Sequence, residues 1–229
     1  LFNGQVGDLA EGALIASGLA SEQQMGCYLS LFAGLLARIA PDIPRESKLR
    51  EAQGLFRWLW RSRPLRYRRG GNFLFTDILE AQLDPGAAAV GNCLGLTVLY
   101  NSLAQRLGLD MRAIYLEAAF QGVPHVLSYY RAGGDCADIE HIFPDGFGYK
   151  GHLGNPLRVE WDNRALLADV YHSRGNLLFE KGCFEAAASL YERALLLNPG
   201  HGKARLNRGL TLIQLGRTEE TARLLADSH

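Results

Sequence analysis

The sequence lacks what several function classes need. No apolar run reaches the roughly 18 residues that a membrane span requires. The most apolar stretch, residues 29–40, carries Arg38 inside it. Four cysteines (Cys27, Cys93, Cys136, Cys183) form no CxxC pair and no zinc spacing. Cys136 with His141 and His152 also matches no standard zinc pattern, so no metal site is expected. Free thiols of this kind suit a reducing cytoplasm. Phosphate-binding glycine loops of the GxGxxG or P-loop type are absent. Net charge is absent too, with 24 Lys+Arg against 24 Asp+Glu, which argues against a nucleic-acid-binding protein overall. The start, LFNGQVGDLAEG, has no basic segment and carries Asp8 and Glu11, so it does not read as a signal peptide. It also has no initiator Met, which leaves room for a removed leader.

What is present begins with composition. The 229 residues are 48% hydrophobic, enough for one or two domains with a real core. Charge is uneven: residues 45–69 hold nine Lys/Arg against two Glu. There RWLWRSRPLRYRR interleaves arginine with Trp58, Trp60 and Tyr67. Arg57, Trp58, Arg61 and Arg66 are therefore candidates for binding phosphate or stacking on bases. The competing reading is a helix end followed by a solvated basic loop.

Residues 7–83 read as helical. Ser21 with Gln24 fits a capping box ahead of the apolar-rich 25–40, which Pro41 and Pro44 end. Residues 46–61 repeat apolar side chains at helical spacing, and Thr76 is the expected cap of a short helix to Leu83. Asn92 is a good N-cap for a helix over 93–107, closed by Gly108. Strand-like segments follow at 111–120, 125–131 and 135–142, separated by glycine-containing turns, which reads as an antiparallel meander. The glycine-rich stretch 145–156 reads as irregular.

The last third repeats itself. Laying 168–195 on 202–229 gives seven identities at a 34-residue offset, among them Gly175/Gly209, Gly182/Gly216 and Ala188/Ala222. Gly175 is expected where two helices approach, and Gly182 in a turn that needs φ > 0. Ala187, Tyr191 and Ala194 form an inner stripe at i, i+4, i+7, and Pro199 ends the unit. The second unit is poorer, with Thr221 standing where the first has Ala187. The first unit resembles the tetratricopeptide repeat, which implies a protein or peptide partner. Tyr171 and Arg174 are candidate contact residues for it.

The middle of the chain carries a possible chemistry. A cysteine at a helix N-terminus feels the helix dipole and unpaired N–H groups, which favour the thiolate nucleophile. A histidine on a strand can take its proton, and a carboxylate on the next strand can fix the imidazole tautomer. Cys93 and His125 fill the first two roles. Period-2 alternation puts Asp138 and Glu140 on one face, so either could be the third member. Gln82 and Asn92 are the candidate oxyanion donors.

At these residues the sequence resembles the transglutaminase-like fold, a branch of the papain-like cysteine-enzyme architecture. GNCLGLTVLYNSLAQRLGLDMRAIYLE is similar to that family's cysteine helix and first strand, PHVLSYY to its histidine strand and CADIEHIF to its aspartate strand. The resemblance implies Cys93 as nucleophile, His125 as base and Asp138 as orienting acid, with no cofactor. The wider layout resembles a bacterial group of transglutaminase-like proteins with tetratricopeptide tails. Many members of that group lack the cysteine; this chain keeps it. The fold expected is thus α+β: a domain over 1–160, helical to 83 and then cysteine helix plus small antiparallel sheet, followed by an all-α repeat pair over 161–229. The function expected is cysteine acyl transfer (hydrolase, peptidase or transferase), with a non-catalytic interaction scaffold as the alternative.

Overall fold

Polar caps set where the helices begin. The computed structural model describes residues 8–226, so the opening heptad and the last three residues of the second repeat lie outside it. Asp8 caps α1 (Leu9–Ala16), Ser21 caps α2 (Glu22–Ile39) and Ser47 caps α3 (Lys48–Ser62), each accepting from a first-turn N–H. Thr76 does not cap α4 (Phe75–Leu83): Leu74 holds that position without a side-chain bond. The Thr76 hydroxyl donates to Asp77 instead. The cap comes from another helix, because Phe75 N–H donates to Ser17 Oγ at 2.7 Å from the end of α1.

The chain divides into two compact units, Leu1–Asn163 and Arg164–His229. In the first, the organising element is α5 (Cys93–Arg106), whose residues from Leu94 to Ala104 are all buried. It packs against α1, α3 and α4 and against strands β1 (Met111–Leu116) and β2 (His125–Ala132). A helix buried all round must satisfy its polar side chains internally. Tyr100 O–H donates to Ala52 O at 2.7 Å, Asn101 Nδ2 to Arg112 O at 3.0 Å and Thr97 Oγ1 to Val126 O at 3.3 Å.

The sheet is antiparallel and four-stranded, in the order β3-β2-β1-β4, with β3 spanning Asp135–Ile139 and β4 Arg158–Trp161. The expected meander is its first three strands. Two of them end early. β1 stops at Leu116, and a tight turn follows, held by Ala119 N–H to Val123 O at 2.8 Å. β3 stops at Ile139, where Glu140 N–H turns back to Gly146 O at 2.9 Å. The fourth strand was not expected. β4 is four residues long, and its pairing with β1, more than forty residues upstream, makes it a strand. Tyr115 and Trp161 stack across that pair at 4.2 Å.

The second unit is helical: α6 (Asn163–Glu180), α7 (Phe184–Leu197), α8 (Gly202–Gln214) and α9 (Thr218–Ala226). Its glycines do as their positions predict. A Cβ on Gly175 would sit 2.6 Å from Tyr191 Cε1, and Gly182 and Gly216 hold φ of 74° and 72° in the two interhelical turns. Ala187, Tyr191 and Ala194 are buried. Among the described residues no helix is long and apolar enough to cross a membrane.

Candidate active site

Cys93 opens α5, and the backbone around it is fixed by contact. Asn92 caps the helix, its Oδ1 accepting from Gly95 N–H at 3.1 Å, while Asn92 N–H donates to Asn72 O at 2.8 Å. Asn72 O lies so close that a Cβ would come within 2.7 Å of it at Gly91 and 2.9 Å at Gly95. Only glycine fits on either side of the thiol. The caps made by Asn92 use the N–H groups of Gly95 and Leu96. Those of Cys93 and Leu94, at the first two helical positions, have no acceptor within the helix.

Opposite the thiol stands His125, the first residue of β2 and 95% buried. The Cys93 side chain is within hydrogen-bonding reach of its ring. His125 Nε2 bonds Glu140 Oε2 at 2.7 Å, which leaves Nδ1 as the nitrogen for the sulfur. Burial alone would lower the basicity of this imidazole; the bonds to Cys93 and Glu140 outweigh it and raise the pKa to about 10. Burial works against the Glu140 carboxylate as well. Bonds from His125 and His152 overcome it and hold the pKa down to about 2. Glu140 Oε1 accepts from Ile142 N–H at 3.3 Å.

Of the two acids on one face, the fold brings Glu140 to the histidine and gives Asp138 other work. The Asp138 carboxylate makes two bonds of 2.6 Å to the guanidinium of Arg158, which also lies over the Tyr129 ring. β4 supplies that arginine. The assignment of Asp138 as orienting acid is therefore replaced by Glu140 in the geometry. The physical reason is that a bidentate arginine pair takes up both oxygens of Asp138.

The oxyanion candidates also move. Gln82 is buried away from that task, with Oε1 accepting from Arg66 at 2.7 Å and Nε2 donating to Ser62 at 3.1 Å. The side-chain oxygen of Asn92 is used in the helix cap. Tyr67 was not singled out by spacing, yet its phenol feels charge on both Cys93 and Glu140, and burial together with those charges raises its pKa. Tyr67 reaches the site because residues 66–68 run beside the approach to α5, with Arg68 N–H on Gly91 O at 3.0 Å and Val90 N–H on Arg66 O at 2.9 Å.

The basic segment is less available than its composition suggests. Arg66 is fully buried, with its guanidinium on Leu59 O and Gln82, and burial lowers its pKa to about 9. Trp58 is buried, with Nε1 on Asp42 Oδ2 at 3.0 Å. Arg57 and Arg61 stay exposed, Arg61 paired with Asp42 at 2.7 Å. A stacking platform for nucleic acid thus loses Trp58 and the Arg66 cation. Cys27, Cys136 and Cys183 are exposed, and Cys93 is partly buried.

His152 is the residue that the sequence gave no reason to place here. It comes from the glycine-rich stretch, yet its Nε2 lies 3.3 Å from Glu140 Oε2. Phe120 stands edge-on to both imidazoles, 5.2 Å from the His125 ring and 4.8 Å from that of His152.

In the second unit, Tyr171 is buried and Arg174 partly so. Asn176, Phe179, Glu180, Tyr191, Asn207 and Leu210 line a cavity of about 340 Å³. Residues 168–201 match the tetratricopeptide repeat family. No curated protein and no solved structure matches the chain.

Proposed function

We propose that the first unit is a cysteine acyl-transfer centre of transglutaminase-like type, with Cys93 as nucleophile, His125 as proton carrier and Glu140 as the acid that orients it. The observation that supports this is the hydrogen bond of His125 Nε2 to Glu140 Oε2 at 2.7 Å, with the Cys93 side chain within reach of the same ring. It is the arrangement that a nucleophile, base and orienting group require. The cysteine helix packed on an antiparallel sheet suits a domain of that kind.

Attack of the Cys93 thiolate on an amide or ester carbonyl forms the C–S bond and puts negative charge on the carbonyl oxygen. The N–H groups of Cys93 and Leu94 can receive that charge, and the Tyr67 hydroxyl is a third candidate donor. The His125 imidazolium gives its Nδ1 proton to the leaving amine or alcohol as the carbonyl bond to it breaks. The enzyme is left as a thioester with neutral imidazole. His125 then takes a proton from water or an incoming amine, which attacks the thioester and releases Cys93. Glu140 accepts from Nε2–H throughout and stabilises the imidazolium.

The second unit supports a protein-interaction role, on the strength of the repeat match and its buried small-residue stripe. Leu206, Leu210 and Ile213 of α8 are exposed apolar side chains, such as a peptide or protein partner would cover. The test of the catalytic reading is acyl trapping. Incubation with an activated acyl ester should add one acyl group, mapped by peptide mass spectrometry to Cys93 and lost in Cys93→Ser. Acylation spread over Cys27, Cys136 and Cys183, with Cys93 no faster, would leave the interaction scaffold as the function.

A further inference from the structure

Among the described residues, two places bring one carboxylate oxygen and two imidazole nitrogens within 4.8 Å of one another: His125, Glu140 and His152, and Asp169, His172 and His201. Three borderline donors at that separation are what a zinc-class divalent cation takes, and the two sites differ in whether their protons let it in.

In the second cluster the protons point inward. His201 Nδ1 accepts from Ala204 N–H at 3.2 Å, so its proton sits on Nε2, which donates to Asp169 Oδ1 at 3.1 Å. His172 Nε2 accepts from Asn207 Nδ2 at 3.2 Å, so its proton sits on Nδ1, the atom that faces Asp169 at 3.4 Å. For a cation to replace these protons, each ring would have to carry its proton where an N–H already points at it. The cluster is a hydrogen-bonded bracket.

The first cluster differs on its outer side, where, among the described residues, no N–H donor is seen on the far nitrogen of His125. His125 Nε2 and His152 Nε2 both approach Glu140 Oε2, at 2.7 and 3.3 Å. Both rings are at least nine-tenths buried, and His152 Nε2 has no well-aligned hydrogen bond, only its approach to Glu140. A tetrahedral ion with bonds of about 2.0–2.1 Å spaces its ligands about 3.3 Å apart. The outer groups fit as well. With a cation on Nε2, His125 keeps its proton on Nδ1, and the Cys93 side chain within reach of the same ring offers an acceptor. Glu140 Oε1 is already fixed by Ile142 N–H. Phe120 provides an apolar wall against both rings.

We propose that His125 Nε2, Glu140 Oε2 and His152 Nε2 bind one zinc-class divalent cation, and that the bound cation silences the Cys93 centre. The silencing half rests on the acyl-transfer reading; the binding half does not. The logic of silencing is protonic. A His125 ring with a cation on Nε2 holds its one proton on Nδ1. Giving that proton to a leaving group would create an imidazolate, and the ring has no free lone pair on Nδ1 with which to activate water. Cys93 is not in the ligand set, because its sulfur lies outside the group of mutually close donor atoms.

The experiment is a titration of metal-free protein with zinc chloride against a chromophoric chelator. The wild type and Cys93→Ser should each take up one equivalent with similar affinity. His152→Ala and Glu140→Gln should weaken binding at least about tenfold, and His172→Ala should leave it unchanged. Far-UV circular dichroism and melting curves check folding; if His152→Ala does not fold, His152→Gln replaces it. Absence of a stoichiometric site, loss of binding in Cys93→Ser or His172→Ala, or full retention in the folded His152 variant overturns the proposal. Iodoacetamide labelling of Cys93 in the metal-free protein separates the two readings. Fast, His125-dependent labelling without zinc uptake sinks the cation site alone. Zinc uptake with slow labelling sinks the acyl-transfer reading and leaves the site.

Discussion

The two histidine–carboxylate clusters use the same three groups for different ends. Around Glu140 the histidines come from the start of a strand and from a loop, and one of them also faces a thiol. Around Asp169 both histidines belong to the helical repeats: His172 lies one turn further along α6, and His201 caps α8. The lesson is that donor identity and spacing do not define a site. What the far nitrogen of each imidazole touches does. A thiol there suits a proton carrier on the proposed reading, and a helix N–H there gives a structural cap.

The sharpest way to break the contrast is to remove the proton carrier. His125→Ala should slow iodoacetamide labelling of Cys93 at mildly acidic pH by about 10²-fold, while His201→Ala leaves the labelling rate alone. Equal effects from both would make the first cluster structural too. A smaller effect separates the acids. Glu140→Gln should reduce the same rate roughly tenfold. Asp138→Asn should lower the melting temperature by weakening its grip on Arg158 without changing that rate. The reverse ranking would restore Asp138 as the orienting acid.

Next in size is the bracket. His201→Ala removes a helix cap and one partner of a partly buried carboxylate, and should cost about 2 kcal/mol in urea unfolding. His201→Asn, which can still cap, should recover part of it. An unchanged midpoint in His201→Ala would mean that the cluster does not hold the repeats.

The pH dependence follows. Glu140, depressed from 4.5 to about 2, contributes stability that is present above pH 4.5 and lost as pH falls toward 2. His125, raised from 6.5 to about 10, contributes stability that is full below pH 6.5 and lost as pH rises through 10. Their pair is therefore strongest between pH 4.5 and 6.5. His141 is pushed down to about 3 by burial, so it contributes above pH 6.5 and that share is lost as pH falls toward 3. Thermal unfolding should show an alkaline decline between pH 6.5 and 10 that Glu140→Gln flattens. Persistence of the full slope in that variant would contradict the pairing.

The last comparison is between the two repeats. Gly175→Ala drives a methyl into the Tyr191 ring and should destabilise by about 1–3 kcal/mol. Gly209→Ala meets nothing nearer than Thr221 Cγ2 at 3.9 Å and should stabilise by about 0.5–1 kcal/mol through helix propensity. Equal responses would remove the asymmetry between the hairpins.

Much of this was legible in the chain. The Asn92 cap, the Cys93 helix, the His125 strand and the glycines of the repeats are local signals: a cap, a period, a turn. The rest depends on partners far away in sequence. Thr76 was the best local cap for α4, and Ser17 displaced it from 58 residues upstream. Choosing between Asp138 and Glu140 required Arg158, on a strand too short to announce itself. His152 sits in a stretch read as irregular and His201 just past the proline that ends a repeat, where spacing carries no information about which carboxylate they will meet. Tyr67 was lost among arginines, and only its pairing beside Gly91 brings it to the thiol.

The contact between Asn72 O and the glycines flanking Cys93 has a consequence in time as well as in space. A helix end fixed by side chains can rattle as those side chains change rotamer. This one is held backbone to backbone, with no Cβ between. The amide of Asn92, donating to Asn72 O, should exchange with solvent only when α5 itself comes loose, and the sulfur should keep its position over the same span of time.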